Sequence, residues 1–234
     1  MNDRIQGRIT SGLAPGTTVR KTLQFVKSQL PGWRDMPARP PVSGEEELNG
    51  QLCKYLNAAA RRQNFSMAYF HHEERQTGQR RIDLSALPPD PAVIEGRSYS
   101  VLDPFLVLEG KRLPPPKPDR EREYVTGEDK KSGGIQRFKL GLHGARLRHA
   151  GMIGYVQRDS FDDWFASINV WITDLAESTS EWSQEDCLSE LTTDTANRVA
   201  SCISVHHRVD AVTGEIHLSH LWVDMQQACR GNGN

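Results

Sequence analysis

Among the ionisable residues of this 234-residue chain, four have types and spacing that could support chemistry. Glu109 and Lys111 close the run Pro104–Lys111 (P-F-L-V-L-E-G-K), Asp83 interrupts Arg80–Leu87 (R-R-I-D-L-S-A-L), and Glu45 opens a helical pattern. The apolar stretch Phe105–Leu108, with Pro104 before it and Pro114, Pro115 and Pro116 after it, is too short for a typical helix. It reads as a strand buried on both faces. Alternation puts Glu109 and Lys111 on one side of the sheet and turns Gly110 away. Burying such charges unpaired is costly, so they form either a salt bridge or part of a site. If the Asp83 strand pairs with this one, Asp83 and Glu109 converge at one end of the sheet. Two convergent carboxylates repel unless a divalent cation neutralises them, and oxygen ligands with no Cys or His nearby select Mg²⁺ or Mn²⁺. Such an ion lowers the pKa of a bound water and stabilises an in-line displacement at phosphorus. Lys111 beside it could orient or deprotonate that water, or offset negative charge in the transition state.

The elements that must position these residues follow from periodicity. A helix is expected from Thr17 or Thr18 to about Leu30, stopped by Pro31-Gly32, and residues 34–41 read as a proline-rich linker or arm. Ser43, with Glu46 three residues on, fits a capping box for a second helix whose inward stripe is Leu48, Leu52, Tyr55, Leu56 and Ala59. At about 100° per residue Glu45 falls nearest that stripe, with Glu46 and Glu47 turned away. Taken alone, Glu45 is explained by a favourable charge at the helix dipole. Strands are expected at Phe65–Glu73 and Arg80–Leu87, joined by a polar turn. The segment Arg112–Lys131 reads as an exposed charged loop containing Tyr124. A third helix from Ile135 to about Arg148, a strand Gly151–Val156, a helix Phe161–Leu175 and a hairpin Ala200–Val209/Ile216–Val223 follow. This makes an α/β protein with residues 1–42 as an N-terminal helical arm and linker. Residues 43–225 would be one domain, with a core at 43–158 and a C-terminal helix and hairpin at 159–225, and 226–234 a frayed tail.

Composition bounds the class. The formal net charge is −1, and no apolar stretch approaches the ~20 residues needed to span a bilayer. Met1–Thr18 has no apolar core of a secretory signal. Cys53, Cys187, Cys202 and Cys229 show no C-x-x-C spacing, which argues against a zinc site and a disulfide scaffold, so a reduced, cytoplasmic setting is expected. Charge is segregated: Lys130–Arg158 holds seven Lys or Arg and no acid, and Asp159–Asn197 holds ten acids and no Lys or Arg. These are either two solvated faces or a basic face for phosphate.

D-x(25)-E-G-K at the end of a buried strand, followed by a helix and a strand, resembles the PD-(D/E)XK nuclease superfamily. The likeness covers roughly residues 43–156. It implies a restriction-endonuclease-like αβββαβ core with a mixed central sheet flanked by helices. It implies metal binding by Asp83, Glu109 and the Gly110 carbonyl, and Lys111 as the lysine of the motif. Glu45, or next Glu46, would be the helical glutamate that many members add. Gln136 and Arg137 match the location of polar residues on the helix after the motif strand. The chain departs from the pattern in having Ile82 before Asp83 and a long charged loop after Lys111. The resemblance implies Mg²⁺-dependent (or Mn²⁺-dependent) cleavage of DNA, with a role in restriction or phage defence and a homodimer or partner protein of such a system.

Lys130, Lys131, Gln136, Arg137 and Lys139, with Arg146 and Arg148 further on, are the candidate nucleic-acid contacts; cations of this kind position a duplex without reading it. Two competing readings stand. Lys111 with Glu109 or Asp83 is a structural salt bridge without chemistry, or the chain is a catalytically silent nucleic-acid-binding or protein-interaction module. His71-His72-Glu73 and His206-His207 read as strand-edge residues, because neighbouring histidines on a strand face opposite ways. Trp164, Trp171 and Trp182 read as core and interface anchors.

Overall fold

The computed structural model describes residues 16–75, 81–127, 133–208 and 214–226. Two helices come first, α1 (Thr17–Arg34) and α2 (Glu45–Arg62), then strands β1 (Tyr69–Arg75) and β2 (Arg81–Leu87). A small hairpin, β3 (Ala92–Ile94) and β4 (Arg97–Tyr99), precedes β5 (Leu106–Leu113), the short helix α3 (Gly134–Lys139) and β6 (His149–Val156). Helix α4 (Phe161–Ser178) and strands β7 (Ser189–Asp194), β8 (Val199–His207) and β9 (Glu215–Asp224) complete the chain. Seven strands form one mixed sheet in the order β1-β2-β5-β6-β9-β8-β7, with β5, β6 and β9 parallel and the rest antiparallel. The protein is therefore α/β with helices on a mixed sheet.

Register assigns each residue to a face, because paired residues project together. Glu109, Met152, His220 and Cys202 stand in one row across β5, β6, β9 and β8. That face is covered by α3, by α4 through Phe161 stacked on Trp222, and by Tyr124, also packed on Trp222. The opposite face carries α1, where Lys27 reaches Ser201 at 2.7 Å, and α2, whose Asn57 holds both the N–H and the C=O of Phe70 on β1.

Several local expectations change. Residues 17–34 pack into the same core as the sheet, rather than standing off as an arm: Val26, Leu30 and Trp33 are fully buried. Helix α1 also runs through Pro31. Proline inside a helix costs ~3 kcal/mol; burying Leu30 and Trp33 on either side returns about 1.5–3 kcal/mol each, enough to offset it. Helix α2 is N-capped by Gly44 without a side-chain bond, so the capping box at Ser43 does not form. The basic helix expected to Arg148 stops at Lys139, since Gly141 and Gly144 adopt left-handed conformations (φ 64° and 56°) that end it. Tyr124, assigned to an exposed loop, is buried, and the polar acidic stretch between α4 and β8 contains the edge strand β7.

His206, assigned to a strand edge, is fully buried in a continuous hydrogen-bond chain. Trp222 Nε1 meets Tyr124 OH at 2.9 Å, Tyr124 OH meets His220 Nδ1 at 2.8 Å, and His220 Nε2 meets Ser204 Oγ at 2.8 Å. Ser204 Oγ then meets His206 Nε2 at 2.7 Å, and His206 Nδ1 meets Asp186 Oδ1 at 2.7 Å. One proton arrangement uses every donor along the chain. Indole N–H only donates and a carboxylate only accepts, so Tyr124 donates to His220, His220 to Ser204, Ser204 to His206, and His206 to Asp186. Both rings are thereby neutral. Asp186, His206 and Ser204 stand at the distances of a hydrolytic triad, but Ser204 is 2% exposed and its oxygen is also held by His220. The chain pins β8 and β9 under α3 rather than presenting a nucleophile.

Burial, reinforced by His206, pushes the His220 pKa down to about 3, and burial lowers that of His206 against the pull of Asp186. An unfolded histidine takes a proton near pH 6.5, whereas these folded rings resist it. Stability is thus fully present above pH 6.5 and falls as the pH drops, by at most ~1.4 kcal/mol per pH unit for each ring. Melting temperatures of Asp83→Asn, which removes the one carboxyl that burial raises well above the usual range, should decline steadily from pH 7 to pH 5. A flat profile there would show that the rings are not held neutral.

Candidate functional site

Between β2 and β5 the recorded pairing ends at Leu84↔Leu108, so the next rung is Asp83 opposite Glu109. There the Asp83 side chain takes over from the ladder: Gly110 N–H donates to Asp83 Oδ2 at 2.8 Å. A one-residue offset in either strand would turn one acid to the other face, so the apolar register of β5 sets this meeting.

Lys111, 4% exposed, is the cation at the centre. Its Nζ lies 2.7 Å from Glu45 Oε1 and 3.3 Å from Glu109 Oε1. Glu45 arrives from the first turn of α2, and its second oxygen accepts from Arg112 N–H at 3.4 Å. The inward position assigned to Glu45 by helical phase is thus the one that reaches Lys111. Gly110 faces the other way, where an added Cβ would stand 2.0 Å from Asn49 Oδ1 of α2. Asn49 is fixed there by Tyr155 OH, which donates to Oδ1 at 2.7 Å. A glycine is therefore required between Glu109 and Lys111 by the close approach of α2.

Glu109 is fully buried and ion-paired on Oε1 by Arg137 of α3 as well as by Lys111. Its Oε2 has no hydrogen-bond partner; the His143 ring nitrogen stands 3.2 Å away but is not aligned for one, and both His143 nitrogens are likewise buried without partners. His143 was not recognisable from the sequence. It lies in the turn between Gly141 and Gly144, and nothing local to G-L-H-G signals that the turn tucks under β5.

The charges perturb one another in opposite senses. Burial would raise the Glu109 pKa, but Lys111, with His143 and Arg137, outweighs it and holds the carboxyl at about 2. Burial would lower Lys111, but Glu109, Glu45 and Asp83 overcome it and raise it. Asp83 lies well above the usual carboxylate range, first through burial and then through the Glu109 charge. Glu109 thus stays ionised and Asp83 bears the strain of three acids meeting two cations.

The other candidates divide. Arg137 enters the site as the counter-ion of Glu109. Gln136 is turned to the preceding loop, its Oε1 accepting from Gly127 N–H at 3.2 Å. Lys139 cannot contact nucleic acid: it is buried at 4% exposure and bonded to Asp186 at 2.7 and 3.0 Å. Lys130 and Lys131 lie outside the described residues. Arg148 lines a cavity of about 1170 Å³ on the α1 face, away from Glu109, so the basic segment does not form one phosphate-facing surface.

Asp83 and Glu109 stand opposite each other where the β2–β5 ladder ends, and Glu109 Oε2, beside His143, has no hydrogen-bond partner. Among the described residues no three His, Cys, Asp or Glu side chains form a metal cage. That donor set fits Mg²⁺ in its usual mode, held by one or two carboxylates with waters and phosphate oxygens completing the shell, and does not fit a caged structural ion.

Lys111→Met should cost ~3 kcal/mol in urea unfolding, because it strands Glu109 and Glu45 in a partly dry site. Millimolar Mg²⁺ should recover more stability in this variant than in the wild type. Equal effects of Mg²⁺ on both would separate the acids from any cation site.

No family model matches the chain, and neither a curated protein nor a solved structure matches it.

Proposed function

We propose that the chain is a Mg²⁺-dependent nuclease of restriction-endonuclease-like type that hydrolyses phosphodiester bonds in DNA. The observation that carries this reading is the convergence of Glu45, Asp83, Glu109 and Lys111 where β2 and β5 part, around the Gly110 backbone. Leaving aside the separate β3–β4 hairpin, the element order α2-β1-β2-β5-α3-β6 and the sheet order β1-β2-β5-β6 support the αβββαβ core that the motif implies. Asp83 and Glu109, with the Gly110 carbonyl, would hold the cation, which supplies a more acidic bound water and charge stabilisation at phosphorus. Glu45 orients the Lys111 ammonium, and Lys111 sits beside the acids to align the attacking water and offset charge as the transition state forms. Arg137, a quarter exposed, can reach a phosphate from the α3 side. A place in restriction or phage defence, alone, as a homodimer or with a partner protein, is what the motif's resemblance suggests.

A second reading has its own support. Arg137 and Lys111 already neutralise Glu109, as a catalytically silent module that binds nucleic acid or protein would require. Among the described residues no helix is long and apolar enough to cross a membrane.

Plasmid and linear DNA incubated with Mg²⁺, Mn²⁺ or EDTA separate the two. Metal-dependent cleavage is expected from the wild type, and Asp83→Ala and Glu109→Ala should lose it. Lys111→Ala should lower turnover by ~10²-fold or more with DNA affinity nearly unchanged, since its role lies in the reaction step. Salt-sensitive binding without cleavage would favour the silent module, and full cleavage by Asp83→Ala would refute the cation assignment.

A further inference from the structure

The two cations on Glu109 are not equivalent. Lys111 projects from the same strand as Glu109, is 4% exposed, and also holds Glu45, so it stays in place whatever else binds. Arg137 belongs to a six-residue helix, its side chain is 25% exposed, and Glu109 is the one acid it pairs with among the described residues. It approaches Glu109 Oε1, while Oε2 remains without a hydrogen bond. Charge makes the consequence specific. With Asp83 ionised, as cation binding requires, Glu45, Asp83 and Glu109 carry three negative charges against the two positive charges of Lys111 and Arg137. A divalent cation added beside an undisturbed Arg137 would turn a net charge of −1 into +1 in a largely buried volume. Release of Arg137 from Glu109 as the cation enters would instead leave the three acids balanced.

We infer that Arg137 is a stand-in for the divalent cation: it neutralises Glu109 until the ion binds, then leaves the carboxylate and becomes available to a substrate phosphate. This deepens the nuclease reading and rests on it. The geometry allows the exchange. Both partners of the ion pair remain satisfied after it, Glu109 by the cation and Lys111, and the guanidinium by solvent or a phosphate, for which its planar fork is suited. The neighbouring Lys139, two residues on, cannot substitute, since Asp186 and the His207 carbonyl hold it.

Competition for one carboxylate has a sign that a supporting role does not. If Arg137 merely braced Glu109, removing it would weaken cation binding; if it occupies the cation's place, removing it strengthens binding. Mn²⁺ binding, followed without DNA by calorimetry and by the electron paramagnetic resonance signal of free Mn²⁺, gives a readout independent of cleavage. Arg137→Gln should bind Mn²⁺ about fivefold tighter or more, within the range usual for coupling between two ligands. Arg137→Lys, which keeps the charge, should stay near the wild type, and Arg137→Met, which removes it, should repeat the gain if the glutamine variant folds poorly. Asp83→Asn should abolish the tight binding in either background. Unchanged or weaker binding by Arg137→Gln, where the wild type binds Mn²⁺ at Asp83, would overturn the exchange and leave the nuclease reading standing. Absence of Mn²⁺ binding in every variant would overturn both.

Discussion

Everything at this site depends on one buried ammonium. Lys111 lies where β2 and β5 separate, and the separation brings Asp83, Glu109 and Glu45 within reach of each other from three different elements. Three carboxylates in a partly dry volume would repel, and no apolar packing compensates for that. The lysine lets the sheet end there at all. Its position is set in turn by the alternation of a strand whose side chains, Arg112 excepted, are buried, and by Gly110, since only a glycine admits Asn49 of α2 so closely.

The short helix α3 transmits order between two buried polar systems on the same sheet face. Arg137 ties it to Glu109, and two residues later Lys139 ties it to Asp186, the accepting end of the Trp222–Tyr124–His220–Ser204–His206 chain. Arg208 adds bonds to the carbonyls of Phe138, Gly144 and Ala145, holding the turn that contains His143. A six-residue helix has little intrinsic stability, so its place is fixed by these ionic and hydrogen-bonded anchors. The hydrolytic-triad distances within the chain are a by-product of this anchoring.

Much of this was legible in the sequence where the signal was local. The apolar run before Glu109, the alternation that joins Glu109 to Lys111, and the helical phase that selects Glu45 over Glu46 each rest on neighbouring residues, and the contacts agree with them. What failed depended on distant partners. Alternation assigns His206 to a face but does not say that α4 and the Gln184–Asp186 turn bury that face. Lys139 looked like a surface cation because the acid that captures it is 47 residues away. The two glycines that cut α3 short were visible, but tolerable inside a helix until their left-handed conformations are known. Strand β7, S-E-L-T-T-D, has no buried face and so gives no hydrophobic period, while the parallel pairing of β6 with β9 is set by crossovers that no local pattern records.

The Glu45–Lys111 bond spans 66 residues of chain, and it joins the first turn of α2 to the far end of β5. In the unfolded chain the acids are far apart and do not repel, so the electrostatic load appears only as this turn docks. The first turn of α2 has little apolar burial of its own, since Glu45, Glu46 and Glu47 precede the first buried leucine, and its docking rests on the Glu45–Lys111 pair. Local opening should therefore begin at that turn, below the free energy of global unfolding. Such opening would expose Lys111 and Glu109 from the helix side while the sheet stays intact. Its frequency would be governed by ionic strength and by whatever cation or phosphate relieves the crowding of charge, so slow amide exchange at Leu48 would report how well the acids are neutralised.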